Sequence, residues 1–187
     1  MSDSHYFIGI PVSETSEKLL LSWQSELKNK LPYKQWTQNS DFHITLKFLG
    51  AVNQEKLTNL LFKLKAIERI PAFALEIKGV NYFGNANSPR VLYAEVPKTR
   101  ALAELVETIA TAAEDAGFER EKREFRAHIT LAKKWKDPLQ KIRVNEMVRN
   151  YQIEKPAFDV KEINVYQIYP SKNPKYEVIK SYKLMGR

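Results

Sequence analysis

The segment at 41–49 alternates strictly between polar and apolar residues. Phe42, Ile44, Leu46 and Phe48 fall on one side, and Asp41, His43, Thr45 and Lys47 on the other. A period of two predicts a strand with one buried face, closed here by Gly50. The pattern returns at 125–132, where Phe125, Ala127, Ile129 and Leu131 oppose Arg126, His128, Thr130 and Ala132. Elsewhere the period changes. Leu19, Leu20, Trp23 and Leu27 recur at helical spacing behind Ser13, a good N-cap, so a helix is expected to end before Pro32. Two more amphipathic helices are predicted, at 53–68 behind Asn53 and at 99–116 between Thr99 and Gly117. A less regular one is expected at 138–150. Apolar, β-rich stretches at 5–12, 73–83, 91–96, 158–170 and 175–185 read as strands. The order lacks strict β-α-β alternation, which predicts an α+β fold with antiparallel pairing.

Length and charge narrow the picture only a little. The 187 residues suit one domain or two small lobes, and 43% hydrophobic residues suffice for a core. There is no cysteine, which excludes disulfides, thiolate nucleophiles, zinc–thiolate sites and iron–sulfur clusters. No apolar run reaches the ~20 residues of a membrane span, and MSDSHYFIGIPV lacks the basic start of a secretory signal. A cytoplasmic protein with no membrane partner is expected. The net charge of +8 favours polyanions, although many basic proteins bind no nucleic acid.

The decisive feature is a repeat. His-Ile-Thr-Leu stands at 43–46 and again at 128–131, and these hold two of the three histidines in the chain. From average residue usage, such a coincidence has odds on the order of one in several thousand. Each copy lies on an alternating strand at the same phase, as an internal duplication would leave it. In a strand, residues i and i+2 point the same way, so His43 projects with Thr45 and His128 with Thr130. If the halves pack about a pseudo-twofold axis, the two pairs face each other across one cleft.

Two opposed imidazoles suit phosphodiester cleavage without a metal. A neutral one can take a proton from water, and a protonated one can give a proton to the leaving ribose oxygen. The threonine hydroxyls can steady the non-bridging phosphate oxygens. Two histidines fall short of the three or four ligands usual for zinc. Asp41 could be a third, but the second copy has no counterpart. No cofactor is expected, and no phosphate-binding glycine loop is present.

HITLKFLG and FRAHITLAK resemble the paired H-x-T-x motifs of the 2H phosphoesterase superfamily. Within it the chain is most similar to the RNA 2′,3′-cyclic phosphodiesterases, historically called 2′-5′ RNA ligases. YFIGIPV and SPRVLYAEV resemble further strands of that family. The resemblance covers nearly the whole chain. It implies a bilobal α+β fold, with antiparallel sheets lining a central cleft and helices outside. Residues 1–187 would then form one domain of two interleaved, pseudo-symmetric lobes, each carrying one motif. It also implies metal-independent hydrolysis of RNA-terminal 2′,3′-cyclic phosphates to 2′-phosphates. His43 would be the proton donor, His128 the acceptor, and Thr45 and Thr130 the phosphate contacts. RNA ligation at the same site, or an RNA-binding module without turnover, are the alternatives; the intact motifs argue against the latter. The partner would be RNA or an oligonucleotide with a cyclic phosphate end, or a small cyclic nucleotide. A monomer is the simplest expectation.

Other residues carry weaker signals. Arg126 shares the strand phase of His128 and is a candidate phosphate partner. Lys47 is expected at a rim or the surface. Lys133 stands where many relatives have arginine, and its strand phase is opposite to that of His128. Ala127 replaces their proline. Trp36, Tyr82 and Phe83 are candidates to stack on a base. The run KREFR at 122–126 reads as a basic approach or a solvated loop, and His5 as a residue at a strand's edge.

Overall fold

Three side-chain caps start three helices where the pattern puts them. A computed structural model describes residues 4–136, 139–151 and 156–186. In it the Ser16 N–H donates to Ser13 Oγ at 3.2 Å and opens α1 (Glu14–Lys28). The Lys56 N–H donates to Asn53 at 2.9 Å before α2 (Gln54–Lys63), and the Leu102 N–H to Thr99 at 3.2 Å before α3 (Arg100–Asp115). Each cap satisfies a donor that has no partner inside the helix, worth about 1 kcal/mol. Beyond α3, Gly117 has φ of 82°, a left-handed turn that glycine adopts without a Cβ penalty. The second predicted helix stops sooner than its pattern, tightening into 3₁₀ turns at Leu64–Arg69. Of the fourth, the described part is one short turn of helix, α4 (Val144–Met147), followed by a 3₁₀ turn; the start of the predicted span at 138 lies outside the described residues.

The strands are β1 (Ser4–Pro11), β2 (Tyr33–Trp36), β3 (His43–Val52), β4 (Phe73–Glu76), β5 (Gly79–Asn85), β6 (Ser88–Glu95), β7 (His128–Trp135), β8 (Ala157–Val160), β9 (Glu162–Ile168) and β10 (Tyr176–Lys183). Two stretches expected as single strands are each divided. The apolar run at 73–83 bends at Gly79 into β4 and β5, and that at 158–170 breaks at Lys161 into β8 and β9. The pieces β4 and β8 pair with each other in a separate two-stranded sheet. β2 lies in a segment that carries no strand pattern.

The main sheet is antiparallel and runs β10-β9-β1-β3-β7-β6-β5, with β2 added to the outer part of β7. β3 meets β7 at its centre through the pair Ile44–Ile129. Both side chains are fully buried, and they join Leu20 and Leu27 of α1 and Leu102, Leu105 and Ile109 of α3 in one continuous core. Alternation then carries His43, Thr45, His128 and Thr130 to the other face.

That alternation breaks at the same place in both copies. On β3, Gly9 pairs with Thr45 but Ile8 with Lys47, so Leu46 is an extra residue. On β7, Tyr93 pairs with Thr130 but Leu92 with Ala132, so Leu131 is extra. A bulge of this kind shifts every later side chain to the other face. Hence Lys47 is buried at 6% exposure and its ammonium donates to the Glu119 carbonyl at 2.9 Å. It is not a surface residue, although it still borders the larger of the cavities at the site. Phe48, expected in the core, is 53% exposed. Lys133 likewise comes into phase with Thr130 rather than opposing it.

The two bulges are held differently. On β7 the Leu131 carbonyl accepts the Thr37 N–H at 3.0 Å and the Gln24 side-chain amide at 2.8 Å. The same buried amide also donates to the Thr37 carbonyl at 2.9 Å. Gln24→Leu keeps the volume and removes both donors. It is expected to cost about 1–3 kcal/mol, because the Thr37 carbonyl loses this donor and the Leu131 carbonyl keeps only the Thr37 N–H, measurable as a lower urea midpoint with unchanged slope.

Candidate active site

Antiparallel pairing about Ile44–Ile129 sets His43 opposite Thr130 and Thr45 opposite His128. The four side chains thus stand at the corners of a rough square, with the histidines on one diagonal. Residues on such a diagonal lie roughly 7–8 Å apart, and their Cβ atoms somewhat closer.

Both imidazoles are seated by one device. His43 Nδ1–H donates to the Asp41 carbonyl at 2.7 Å, and His128 Nδ1–H to the Arg126 carbonyl at 2.8 Å. Each acceptor lies two residues before its histidine, so the tautomer is fixed locally and Nε2 carries the lone pair. The Thr45 hydroxyl donates to His43 Nε2 at 3.0 Å. Aromatic rings wall both. Phe7 lies 4.5 Å from the His43 ring and Tyr176 meets it edge-on at 5.1 Å. Phe83 and Tyr93 meet the His128 ring at 5.1 and 5.4 Å.

The walls set the protonation. Burial lowers the His43 pKa to about 4, helped by the charges of His128 and Lys133 and opposed by the bond to Asp41. Burial also lowers the His128 pKa, against its bond to Arg126. Desolvation favours the neutral form of each. Lys133 is lowered by burial and by its neighbours Lys175 and Lys134.

Two cavities open from this square. One, of about 350 Å³, lies on the His43 side and is lined by Thr45, Thr130, Trp36, Lys133, Lys172 and Lys175. The other, of about 780 Å³, lies on the His128 side between Phe48, Phe83, Arg90 and the segment carrying Arg123 and Arg126. Thr45 borders both.

The structure sorts the weaker candidates. Arg126 precedes β7 rather than sitting on it; its carbonyl seats His128 and its side chain lines the larger cavity. Asp41 holds a loop near the other end of the chain, its buried carboxylate accepting the Lys175 N–H at 3.1 and 3.3 Å. Among the described residues no three His, Asp or Glu side chains converge, and no helix is long and apolar enough to cross a membrane. Trp36 lines the smaller cavity with Lys28 over its ring at 5.7 Å. Phe83 stacks on Tyr93 at 4.2 Å, and Tyr82 packs against the core. His5 is exposed on β1, and the KREFR run is mostly exposed.

The family described as LigT like phosphoesterase matches this sequence twice, at 10–93 and at 95–176, each time across one histidine–threonine motif. The chain belongs to that family. A relative from Bacillus subtilis strain 168, an RNA 2′,3′-cyclic phosphodiesterase, is 31% identical over 191 residues, covering 96% of both chains. One of the same name from Geobacillus stearothermophilus is 33% identical over 189 residues; the whole of this chain spans 59% of that protein. The crystal structure of E. coli LigT complexed with 3′-AMP shares the fold, with a TM-score of 0.76 at 20% identity over 97% of this chain and 98% of the other. A Thermus thermophilus protein, TT0787, superposes equally well, again at 0.76 and 20%, over 98% and 99%.

For this LigT-like phosphoesterase, sequence reasoning missed Phe48 at the cleft and gave Lys133, which it singled out, the wrong phase. Leu46 and Leu131 are ordinary strand formers and give no sign of a bulge. The one available signal was the duplication itself: an exception proved in one copy would have transferred to the other.

Proposed function

We propose that this protein hydrolyses 2′,3′-cyclic phosphodiesters at RNA ends to 2′-phosphates, by acid–base catalysis that uses two histidines and no metal. The observation that carries the reading is the doubly seated imidazole pair, each Nδ1 bound to a backbone carbonyl, which turns each Nε2 toward the cleft, His43's with the Thr45 hydroxyl on it. The names of the relatives from Bacillus and Geobacillus support the substrate class. The twofold family match and the mirrored strand order support one domain of two interleaved lobes.

In this mechanism the phosphate sits between the histidines. The Thr45 and Thr130 hydroxyls hold its non-bridging oxygens, with Lys133 adding positive charge. His128 Nε2 takes a proton from water, whose oxygen bonds to phosphorus. The bond from phosphorus to the 3′-oxygen breaks in line, and His43 Nε2–H gives that oxygen its proton. The proton gained and the proton lost balance across the site.

The test is product analysis with a defined oligoribonucleotide ending in a 2′,3′-cyclic phosphate, in excess chelator. Turnover to a 2′-phosphate is expected. A 3′-phosphate product would reverse the assignment of donor and acceptor. Loss of activity in chelator, restored by zinc or magnesium, would overturn the mechanism.

The lowered histidine pKa values predict the pH profile. In the unliganded site both imidazoles are neutral at pH 7, whereas the reaction needs the pair singly protonated. The optimum of kcat/KM, which reports the free enzyme, is therefore expected below pH 6.5. A bound phosphodiester anion raises both values, so the kcat optimum lies at higher pH. Coincident optima at or above pH 7 would contradict this.

A further inference from the structure

The two motif copies seat their histidines alike, yet the seating residues differ in what their side chains do. Asp41 and Arg126 each stand two residues before a motif histidine, and each backbone carbonyl accepts that histidine's Nδ1–H, at 2.7 and 2.8 Å. Arg126 is exposed and lines the larger cavity. Asp41 ends a 3₁₀ turn (Asn39–Asp41) and is buried at 4% exposure. A buried carboxylate needs donors. Asp41 finds one 134 positions along the chain, where both its oxygens accept the Lys175 N–H, at 3.1 and 3.3 Å.

Lys175 closes the connection between β9 and β10, and Tyr176 begins β10. The connection runs through turns and bends. It is tied to itself by the Tyr169 N–H, which donates to the Lys175 carbonyl at 2.7 Å, and by the Lys172 N–H, which donates to the Tyr169 carbonyl at 3.0 Å. Neither bond reaches β3. The Asp41 carboxylate makes that link, and the residue next to the bonded one carries the ring that meets His43 edge-on at 5.1 Å and Phe7 at 5.0 Å. Asp41 therefore acts on the imidazole twice, directly through its carbonyl and through Tyr176 by way of its carboxylate. The titratable and charged groups facing His43 are Asp41 itself, Tyr166 of β9, Tyr176 of β10, His128 and Lys133 of β7, and Lys172 and Lys175 across the smaller cavity.

Resting on the phosphodiesterase reading, we propose that Asp41 is a positioning residue whose carboxylate holds the Lys175–Tyr176 segment against the imidazole that its own carbonyl seats, and so keeps water from His43. The second copy builds its wall without such a tie, from Phe83 and Tyr93 of adjoining strands. One carboxylate thus makes the surroundings of two duplicated histidines unequal, as a pair with opposite proton roles requires.

The experiment follows the Cε1–H signals of the three histidines by NMR against pH, in the wild type, Asp41→Asn and Asp41→Ala. Both variants remove the carboxylate charge, and only the second removes the acceptor. Burial lowers the His43 pKa to about 4, so admitting water past Tyr176 raises it. Asp41→Ala is expected to lift the His43 midpoint by about one pH unit or more relative to Asp41→Asn, with His128 moving much less. The pH optimum of kcat/KM for a 2′,3′-cyclic phosphate should rise with it. A bond of structural value alone would lower stability and leave the folded protein titrating as Asp41→Asn does. That result, or equal shifts at His43 and His128, would overturn the proposal. If Asp41→Ala does not fold, Lys175→Pro, which has no N–H to donate, is compared with Lys175→Ala, which loses only the ammonium; the same rise is expected and its absence refutes. The titration needs no substrate. A protein that turns over no cyclic phosphate would end the phosphodiesterase reading, and the NMR midpoints would still decide what Asp41 does.

Discussion

His43→Ala and His128→Ala are each expected to lower turnover of a 2′,3′-cyclic phosphate by about 10²–10⁴-fold, the usual worth of general acid–base catalysis. Each variant leaves one imidazole seated on its carbonyl, but the reaction needs proton removal and proton donation together. The double variant should fall far short of the product of the two losses, because the second histidine has little left to assist. Neither change should unfold the protein, since the packing beneath the motifs rests on Ile44 and Ile129. His5→Ala supplies the control. Its side chain is exposed on β1 and should be near wild type. Comparable damage at all three histidines would mean that the wrong pair has been chosen.

Gly9→Ala is expected to have the next largest effect, through His43. Gly9 pairs with Thr45, and the imidazole lies close over it. A Cβ built there would stand 2.9 Å from the Ile44 carbonyl, 3.3 Å from the Phe7 ring and 3.5 Å from the His43 ring. The first contact is with backbone at the centre of the sheet, which cannot swing aside. Stability should fall by about 1–3 kcal/mol, as for other overpacked sites. Turnover should fall roughly 10- to 100-fold, because a misplacement near 1 Å is costly in an acid–base pair. The loss should appear mainly in kcat. A variant that is destabilised yet fully active would show that the His43 seat does not depend on Gly9.

The catalytic candidates were legible in the sequence because they rest on two short-range regularities. Period two fixes which way His43 and Thr45 point, and the repeat fixes that His128 and Thr130 do the same. The helices were legible from Ser13, Asn53 and Thr99, whose caps act within one turn. What failed was phase carried past a bulge. Counting from His43 places Lys47 open in the cleft and Phe48 in the core; the structure buries the first and exposes the second, since Leu46 is skipped by its partner strand. Whether a residue is skipped depends on Gly9, Ile8 and Gln24, which come from other parts of the chain. Gly79, at the break between β4 and β5, was a visible marker. The break at Lys161 and the short β2, with its Lys34 and Gln35, carried none.

The position of β1 has a consequence for how the chain acquires its shape. The first strand lies between β3 and β9, so one of its edges waits for residues near the other end of the protein. Gly9 pairs with Asn164, 155 positions away. During synthesis β1 and β3 can form a hairpin early, but that hairpin keeps an open, apolar edge until β9 leaves the ribosome. Contacts this distant along the chain slow folding, and an open edge is a template for pairing with another chain. The pairing of β1 with β9 therefore asks for a late, long-range closure, and the nascent hairpin is where a chaperone would be needed most.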